Sequence, residues 1–523
     1  MRLLLFAVLC LCSKQLFGQA KLRKLPANIN HSPINNYAPY VSLDGNAMVY
    51  ISDIGEDYTL TMNYTMREGI EWRDPVVMPK NVNNHLNYLR GYALSSDGNT
   101  LFFTSSKYAG LGAYDIFTSQ RSGNLWNEPV NMGLPINSKS NDAAPSLSAD
   151  GNTLYFMRCE VMGALNADKC KIMMSKKKNN GRWDEPAELP GTINNGNSLA
   201  PRIMGDGETL IFSSNNLLPN QGGMDLYMTR LIDGKWSAPQ PMDFVNTKGD
   251  DQSVSASSLG RYLVKDGPGQ HSNELMEVLF PPDLSPKKTI SIVGTVMGPE
   301  SPTSAFVSVF NMKDQSRVFS TKPGKDGSFV AYVNEGSVYD LSVDPEADNF
   351  TFFSKLLDFT GERTSTTEKV NVNLKPAGTG DEIALEGISF NPGSSEISPA
   401  SAQELRRVTR LMTGNPGKSF SIVISLTGYQ VDSVRSNPDM TEILTDTIRI
   451  PVIVHVDSVS TTQHDSLVVK RRYHNDRTGL QAKALREYFV KQGIPAGRLT
   501  LSGLAVAEAV VENRKTLVKL VIR

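Results

Sequence analysis

The first half of the chain repeats one pattern at a nearly constant interval. Its marker is a tight turn whose glycine falls at successive spacings of 53, 53, 56 and 53 residues, at Gly45, Gly98, Gly151, Gly207 and Gly260. An aspartate precedes the glycine in the first four turns, at Asp44, Asp97, Asp150 and Asp206. The only tryptophans of the chain share another position of the pattern, at Trp72, Trp126, Trp183 and Trp236. Self-similarity at a fixed period predicts a repeat architecture.

Each repeat divides into four short runs with the composition of β-strands. In the second repeat these runs are GYALS, TLFFTSS, YDIFTSQ and LWNEPVNM, which are rich in the residues that favour strands. The Asp-Gly pair supplies the positive φ that a tight hairpin turn requires. Repeated four-stranded units of this length close radially into a β-propeller. A β-sandwich of irregular hairpins is the alternative, but it does not require a tryptophan at the same place in every repeat.

The fifth repeat ends without the strand that carries the tryptophan in the other four. It offers SVSAS, RYLVKD and ELMEVLF and then runs into a Pro- and Lys-rich linker at residues 281–288. Residues 21–30, KLRKLPANIN, look like the tail of a fourth strand, as in PVNMGLPIN at residues 129–137. We therefore predict a five-bladed propeller over residues 21–285 that is closed by the N-terminal strand, because closure removes an unpaired edge.

These repeats resemble the WD40-like PD40 family of bacterial propellers, which is related to the TolB type. The resemblance is carried by SADGNTLYF at residues 148–156, SSDGNTLFF at 95–103, YDIF at 114–117 and MDLY at 224–227. It implies the propeller fold for about residues 21–285. It implies no activity, because one fold carries many unrelated functions.

The N-terminus has the pattern of a targeting segment. MRLLLFAVLCLCSKQLFGQA has one Arg, an apolar core and small residues at Gly18 and Ala20, which predicts a secretory signal peptide over residues 1–20 and a periplasmic location. Leucines precede Cys10 and Cys12, where a lipoprotein signal needs a small residue, so no lipid anchor is expected. No later apolar run is long enough for a transmembrane helix. The formal charge of −1 gives no electrostatic case for nucleic acid or a membrane surface.

Two cysteines remain after the signal peptide, Cys159 and Cys170. The first ends the second strand of the third repeat and the other begins the third strand, so a hairpin places them opposite each other. In an oxidising compartment this arrangement predicts a disulfide that closes the loop EVMGALNADK. Two free thiols are the alternative. A metal site is not expected, because no His lies near the two cysteines in sequence.

Residues 289–375 contain strand-like runs about ten residues apart. Asp326-Gly327 makes a turn into the alternating run SFVAYV, and YDL starts the next strand. Such spacing predicts a small β-sandwich. The segment resembles the carboxypeptidase regulatory-like fold, which implies a spacer or support and no catalytic residue. A generic immunoglobulin-like module is the alternative.

The last part of the chain alternates helices with strands. LKPAGTGDE at residues 374–382 has the composition of a flexible joint. Ser398 then caps a helix that ends at Gly414, and a second helix ends at Gly493. The order strand–helix–strand–helix–strand predicts an α/β domain over residues 383–523. It resembles the OmpA-like C-terminal domain, best at ISFNPGSSEISPASAQEL and REYFVKQGIPAGRLTLSG.

This resemblance implies a peptidoglycan site that the chain keeps only in degenerate form. The family holds the diaminopimelate of peptidoglycan stems with an Asp for the ammonium and an Arg for the carboxylate. Here the Asp position is Val431, with Asp432 one residue late, and the Arg position is Gln481. The family's neighbouring Asn and Leu fall on His474 and Arg477. Val cannot hold an ammonium and Gln cannot replace a bidentate guanidinium, so we predict weak or lost binding.

An insertion of about residues 434–470 lies between these positions. TDTIRIPVIVHVDSV and DSLVVKRRYH are strand-like runs separated by a polar turn, which predicts an extra β-hairpin. His455, His464 and His474 lie in or near it. A metal site is one interpretation, but the sequence shows no ligand spacing, so we interpret them as solvated strand residues. No metal and no cofactor are expected.

The predicted fold class is therefore multidomain and mainly β: a five-bladed β-propeller, a small β-sandwich and an α/β OmpA-like domain. This order resembles envelope proteins of Bacteroidetes, and among them the PorE-type component of type IX secretion. It implies a non-enzymatic periplasmic scaffold or accessory subunit of an outer-membrane protein assembly. A noncovalent peptidoglycan anchor is the alternative. An enzyme or lectin is a third possibility, but the sequence shows no nucleophile motif and no paired carboxylates with a Tyr or His partner.

Overall fold

The computed structural model divides the chain into two compact units. They are Met1–Ser291 with Tyr332–Glu335, and Ile292–Ala331 with Gly336–Arg523. The described residues are 22–31, 33–53, 60–83, 91–106, 110–123, 125–163, 166–178, 180–256, 262–269, 272–299, 304–361, 366–427, 431–432, 441–455, 461–474, 476–505 and 515–523. The predicted signal peptide and the turn glycine Gly260 lie outside them. The second unit holds both the predicted sandwich and the predicted C-terminal domain, whose limits stay predictions.

The first unit is a five-bladed β-propeller, in which each repeat forms one antiparallel sheet. The chain begins with β1 (Leu22–Lys24). The first blade has β2 (Asn35–Val41), β3 (Ala47–Asp53), β4 (Leu60–Glu68), β5 (Glu71–Trp72) and β6 (Val76–Val77), followed by the short helix α1 (Lys80–Asn83). The second has β7 (Tyr92–Leu94), β8 (Thr100–Ser105), β9 (Asp115–Ser122), β10 (Leu125–Trp126) and β11 (Val130–Asn131).

The remaining blades follow the same plan. The third has β12 (Asn141–Leu147), β13 (Thr153–Met162), β14 (Ala167–Lys176) and β15 (Ala187–Glu188). The fourth has β16 (Ser198–Ile203), β17 (Thr209–Ser214), β18 (Asp225–Ile232), β19 (Lys235–Trp236) and β20 (Gln240–Pro241). The fifth has β21 (Val254–Ala256), β22 (Tyr262–Pro268) and β23 (Asn273–Leu279). Its fourth strand is β1, which pairs antiparallel with β23 and is the strand that the sequence assigns to ring closure.

The repeated Asp-Gly turns have the geometry that their sequence requires. The glycines of the first four repeats have φ between 67° and 73°, a region that glycine enters without steric cost. The aspartate folds back on the turn: Asp97 Oδ1 accepts the N–H of Asn99 at 3.0 Å and the hydroxyl of Ser95 at 2.5 Å. Asp150 makes the same pair of bonds with Asn152 and Ser148. These side chains fix the hairpin that starts each blade.

A backbone irregularity recurs seven residues before these glycines. Ala38, Ala144 and Ala200 have φ of 48°, 50° and 46°, and Gly91 at the same place in the second blade has 88°. Each alanine lies where the inner strand slips register against its neighbour. A left-handed alanine costs about 1–2 kcal/mol, and a Cβ on Gly91 would lie only 2.8 Å from the Cα of Ala144. The close approach of neighbouring inner strands therefore maintains this bulge.

The tryptophans pack from one blade onto the preceding one. Trp126 meets Tyr64 of the first blade edge-on, with ring centroids 5.8 Å apart, and Trp236 meets Tyr155 of the third blade at 6.3 Å. Trp72 packs in a cluster with residues of the fifth blade. The tryptophans of the first two blades are buried, whereas those of the third and fourth are half-buried. The four tryptophans are therefore not equally buried between the blades.

One buried arginine joins the inner strands of the ring. Arg202 of the fourth blade donates from Nε to the carbonyl of Val254 at 3.2 Å and from Nη1 to that of Pro145 at 2.9 Å. Its guanidinium lies 4.9 Å from the ring centroid of Tyr40. Burial lowers the pKa of Arg202, and the tyrosines Tyr40 and Tyr92 act in the opposite direction. Arg202 therefore links four blades through carbonyl and aromatic groups.

The predicted disulfide is confirmed. Cys159 on β13 and Cys170 on β14 are directly opposite each other, with their Cα atoms 4.0 Å apart and their sulfurs bonded. Both residues are buried. The bond therefore closes the hairpin of the third blade at the position that the sequence gives for it.

The β-sandwich lies mostly in the second unit. Its strands are β24 (Thr289–Met297), β25 (Ala305–Asn311), β26 (Arg317–Thr321), β27 (Ser328–Asn334), β28 (Val338–Pro345), β29 (Phe353–Asp358) and β30 (Thr367–Asn373). One sheet has the order β27-β24-β30 and the other β26-β25-β28-β29. Inward-facing residues alternate with outward-facing ones along β27, as expected for a sheet with one face on the core.

The C-terminal domain packs two helices on a mixed sheet. Its elements are β31 (Glu382–Ala384), a 3-10 turn (Pro399–Ser401), α2 (Ala402–Gly414), β32 (Phe420–Thr427), β33 (Val431–Asp432), β34 (Thr441–His455), β35 (Thr461–His474), α3 (Thr478–Lys491), a 3-10 turn (Ala496–Arg498), β36 (Leu499–Ala505) and β37 (Lys515–Ile522). The sheet order is β31-β37-β32-β36, and only β36 is parallel to its neighbour β32 among these pairs of described strands. Leu405, Val408 and Leu411 of α2 and Leu485 and Phe489 of α3 form its core with the strands.

The predicted flexible joint at residues 374–382 is instead fixed by hydrogen bonds. The carbonyl of Lys375 accepts the N–H of Thr351 at 2.9 Å, and the N–H of Ala377 donates to the carbonyl of Asn349 at 2.9 Å. Ala377 is also buried against the C-terminal core. Asp381 also accepts the N–H of Gly378 at 2.7 Å and pairs with Lys375, so both backbone and side chains hold the segment in place.

Helix α2 presents a charged face to the sandwich. Arg407 Nη1 lies 2.7 Å from both Asp340 Oδ2 and Glu404 Oε2, and its Nε lies 3.8 Å from Asp344 Oδ1. Ser354 donates its hydroxyl to Glu404 at 2.6 Å. Burial raises the pKa of Glu404 to about 7 and also raises the pKa of Asp340 and Asp344, against the opposing charge of Arg407. We call Asp340, Asp344, Glu404 and Arg407 the Arg407 cluster.

Candidate functional site

A cavity of about 340 Å³ opens at one end of the C-terminal sheet. Its walls are the loop at residues 388–394, the end of β32 at Leu426, the start of α3 at Arg477 and Gln481, and Thr516 of β37. The loop sequence ISFNPGS contributes polar side chains and backbone. Of the three predicted positions of the degenerate peptidoglycan site, the one that has a described side chain lies at this cavity.

That residue is Gln481, which is 8% exposed. Its Nε2 lies 3.5 Å from the carbonyl oxygen of Ser394, a long contact across the cavity wall. Val431 and Asp432 form β33, which follows β32 closely and pairs with His474 and Tyr473 of β35. The structure describes these two residues through their backbone only.

Sequence reasoning missed Arg477 as a site residue. It precedes α3, is 9% exposed, and lies one helical turn before Gln481, whose N–H donates to its carbonyl at 2.8 Å. Asp476 fixes this helix start, because it accepts the N–H and hydroxyl of Thr478 at 2.9 and 2.7 Å. Residues four apart share a helix face, so the spacing of Arg477 and Gln481 was the signal in the sequence. A guanidinium at this wall suits a carboxylate.

A second exposed feature is the long hairpin of β34 and β35, which we call the ribbon. The two strands pair from Thr441 opposite His474 to His455 opposite Thr461. Their other strand neighbour in the described part of the chain is the two-residue β33. A two-stranded ribbon is marginally stable on its own in water.

Apolar side chains lie exposed on both faces of the ribbon, and the three most exposed share one face. Ile450 and Val468, at 41% and 37%, lie on the other face. Ile453 and Leu467 are each 63% exposed and Val469 is 51% exposed. In the pairing register they lie opposite Gln463, Arg449 and Thr447, which places all three on the same face, since side chains alternate along a strand. We call Ile453, Leu467 and Val469 the ribbon face. Pro451 lies in the edge strand β34, and proline there limits uncontrolled strand pairing.

Three further observations on the described residues concern metal binding, membrane crossing and His464. These residues contain no group of three His, Cys, Asp or Glu side chains arranged to hold a metal. None of their helices combines the length and the apolar character that crossing a membrane requires. His464 of the ribbon is exposed and lies opposite Val452.

Comparison with known proteins gives a fold similarity. No family model and no curated protein matches the chain. A TolB-type protein from Agrobacterium tumefaciens is 14% identical, with a TM-score of 0.29 over 58% of this chain and 91% of that one. A GH43 endo-arabinanase from Bacillus licheniformis is 14% identical (TM-score 0.31; 47% and 93% covered), and an oligogalacturonate lyase in complex with manganese is 9% identical (TM-score 0.28; 50% and 94% covered). The chain is thus similar to solved propeller-like structures in its mainly β, multidomain fold, and such similarity carries no conclusion about activity.

Proposed function

We propose that this chain is a non-enzymatic periplasmic scaffold or accessory subunit of an outer-membrane protein assembly. The domain order motivates a type IX secretion-like assembly, because it resembles the PorE-type component. The observation that carries the proposal is the exposed apolar face of the ribbon. The propeller would add a rigid platform whose loops can dock partners.

The ribbon suits a protein partner for two physical reasons. Strongly exposed apolar residues, the most exposed of which share one face, indicate an interaction surface rather than a solvated strand pair. The strand pair also gains stability when a third element covers it. A partner that adds a strand or lays an apolar surface on the ribbon face would supply that cover.

The test uses the full chain in its own host. The ribbon variant replaces Ile453, Leu467 and Val469 together by serine, and the membranes are solubilised in mild detergent for sedimentation. We expect the wild type to sediment within a large assembly and the ribbon variant to sediment as the free protein. If the ribbon variant stays in the assembly, or if the wild type is never found in one, the proposal is wrong.

The propeller offers a matched control for this variant. Ile70, Leu125 and Ile232 are also exposed, at 90%, 72% and 58%, and lie at the edges of blades. Their joint replacement by serine removes as many exposed apolar side chains without touching the ribbon. We expect this control to stay in the assembly, which separates the ribbon face from a general change in surface hydrophobicity.

A noncovalent peptidoglycan anchor is the second candidate, and Arg477 is the observation that favours it. A guanidinium at the cavity of Gln481 could take the stem carboxylate that the family's arginine takes. If this candidate is correct, the full chain co-sediments with purified sacculi and Arg477→Gln releases it while leaving the melting temperature unchanged. If the scaffold proposal is correct, neither protein co-sediments with sacculi.

A further inference from the structure

The fifth blade departs from the other four in its core. Five residues after the turn glycine, the first four blades bury an aromatic ring, at Tyr50, Phe103, Phe156 and Phe212. The fifth blade has Lys265 at this position, and it is only 8% exposed. Its Nζ lies 3.0 Å from Asp251 Oδ1 and donates to the carbonyl of Val245 at 3.0 Å. A lysine therefore replaces a ring that the other four blades keep. Its partner Asp251 has a counterpart in Asp142 of the third blade, which pairs with Arg158 at 2.6 Å.

The next residue departs as well. In the second blade Thr104 accepts the N–H of the left-handed Ala144 at 3.2 Å. In the fifth blade Asp266 takes this role, because its Oδ1 accepts the N–H of Ala38 at 3.1 Å. The carboxylate of the fifth blade therefore accepts the same backbone hydrogen bond that a hydroxyl accepts in the second blade.

These substitutions are costly for a fold that does not require them. Removing an ammonium and a carboxylate from water costs several kcal/mol per ion before their attraction compensates. The same blade architecture forms in the other four repeats with an aromatic ring at the position of Lys265. Departures from a local rule without a structural gain mark functional sites.

A cavity of about 440 Å³ lies at this place, between the fifth blade and its neighbours. Ile51 and Leu60 of the first blade, Leu226 of the fourth and Val254 of the fifth supply an apolar wall. The size is that of a small-molecule or side-chain pocket, in which an apolar wall is combined with a few polar groups.

The polar wall is mainly acidic. Asp53, Asp250, Asp251 and Asp266 line it together with Lys265, whose ammonium Asp251 already neutralises. Asp53 accepts from Asn35 at 3.3 Å and Asp250 from the N–H of Met224 at 2.9 Å. Each carboxylate offers about four lone-pair sites, so both can accept further donors.

An aromatic ring completes the wall. Tyr37 is half-buried at the cavity, and burial together with the negative charges of Asp53 and Asp266 raises the pKa of its phenol. Its face and the acidic groups attract positive charge. Arg202, a second buried cation of the ring, bonds to carbonyls and lies over Tyr40 instead.

We propose that this cavity binds an organic cation, an ammonium or guanidinium head on an aliphatic stem. The head meets Asp53, Asp250 and Asp266, and the stem lies along the apolar wall. The site does not depend on the scaffold role. The same chemistry is offered by a free alkylamine or by a lysine side chain of a partner protein.

Calorimetry on the full chain tests the charge preference with three probes of equal length. Pentylamine, pentan-1-ol and pentanoate each have five carbons in a straight chain and differ in the head group. We expect pentylamine to bind, and the alcohol and the anion to show no heat. Pentanoate binding, or no binding of pentylamine, overturns the proposal.

A double variant in the wall of the cavity, compared with a single control variant, locates the binding site. Asp53→Asn and Asp250→Asn together should weaken pentylamine binding by about tenfold or more, because each removes a charge contact at the head group. The matched control is Asp233→Asn, which changes an exposed aspartate in a turn of the fourth blade with φ of 49°, a conformation that asparagine tolerates. Equal affinity in the double variant and the control places the cation elsewhere and overturns the proposal.

A variant that restores an aromatic ring to the fifth blade tests whether the charged pair is needed for folding. Lys265→Phe with Asp251→Asn gives the fifth blade a neutral combination like Asn36 and Tyr50 of the first. We expect unchanged or higher thermal stability, as when buried ion pairs are replaced by apolar groups, and retained pentylamine binding, because Asp53, Asp250 and Asp266 remain. A lower melting temperature shows that the pair serves the fold, and loss of binding shows that these three carboxylates do not hold the head group; either result overturns the proposal.

A fourth probe, the blocked peptide acetyl-Gly-Gly-Lys-Gly-Gly-amide, distinguishes a lysine side chain of a partner protein from a free alkylamine as the bound cation. Binding at least as tight as that of pentylamine identifies a protein side chain, since the backbone then adds contacts. Binding of pentylamine without the peptide identifies a free amine.

Discussion

Buried charge is handled differently in the two units of this protein. In the propeller, Lys265 forms an ion pair with Asp251 at 3.0 Å. In the second unit, Arg407 faces Glu404, Asp340 and Asp344, one cation for three anions. The first pair lies within a repeat that shows how the same position looks without charge. The second lies where a helix meets a sandwich, and no repeat offers an alternative.

The difference has a consequence for protons. Three carboxylates around one guanidinium, two of them buried, cannot all stay ionised without large repulsion. The cluster responds by binding a proton, which burial places on Glu404 by raising its pKa to about 7. The propeller pair therefore indicates a ligand site, and the Arg407 cluster indicates a pH-sensitive joint within the second unit.

The largest expected effect is the loss of the only cation of the cluster. Arg407→Met leaves Glu404 and Asp340 buried without a counter-charge, and we expect it to lower the free energy of unfolding by about 3–5 kcal/mol. The second unit contains both long helices and no tryptophan. Helical circular dichroism during urea unfolding therefore follows this unit, and tryptophan fluorescence follows the propeller as an internal control. A change below about 1 kcal/mol would mean that water screens these charges.

The second prediction concerns pH. The folded-state pKa of Glu404 is about 7, against 4.5 for an ordinary glutamate. Between these values the folded protein holds a proton that the unfolded chain has released, so the free energy of unfolding falls as pH rises through this window. The stabilisation is complete below pH 4.5 and lost by about pH 7, and amounts to at most about 3 kcal/mol. The raised pKa of Asp340 and of Asp344 acts in the same direction.

The matched variant for this prediction is Glu404→Gln. Glutamine imitates the protonated side chain and can keep the hydrogen bond from Ser354. We expect the helical transition of the variant to be less sensitive to pH between 5 and 8 than that of the wild type, and the fluorescence transition of the propeller to be the same in both. Equal pH dependence of the helical transition in the two proteins would contradict the assignment of the proton to Glu404.

The features that can be predicted from the sequence are those whose interacting residues lie close together in the chain or recur at a fixed period. The blades, their turns and the disulfide depend on local patterns and one fixed period, so the sequence predicts them. Glu404 and Arg407 read as the solvated face of an amphipathic helix, because Asp340 lies more than sixty residues away and no local pattern joins them. Lys265 was accessible in principle, since aligning the repeats on their turn glycines shows the missing aromatic ring.

The third prediction brings the comparison back to the propeller. Lys265→Met removes one cation but leaves one carboxylate, and Asp251 still accepts the N–H and hydroxyl of Thr247 at 2.6 and 2.9 Å. We expect a loss of about 1–3 kcal/mol, smaller than for Arg407→Met, in the fluorescence transition. A loss as large as that of Arg407→Met would show that the number of stranded carboxylates does not set the cost.

The smallest effect is expected one turn further along the same helix. Arg410 pairs with Asp348 at 2.8 Å, but their side chains are 43% and 65% exposed, against 6% for Arg407. Both arginines lie on α2 and both meet the segment that follows or forms β28, so they differ mainly in contact with water. We expect Arg410→Met to cost less than about 1 kcal/mol, since exposed ion pairs contribute little, and added salt to reduce even this. Salt should leave the cost of Arg407→Met unchanged, because a buried cluster is poorly screened. If the two variants lose the same free energy of unfolding, burial does not explain the contribution of the Arg407 cluster. The geometry of the helix face would then explain it.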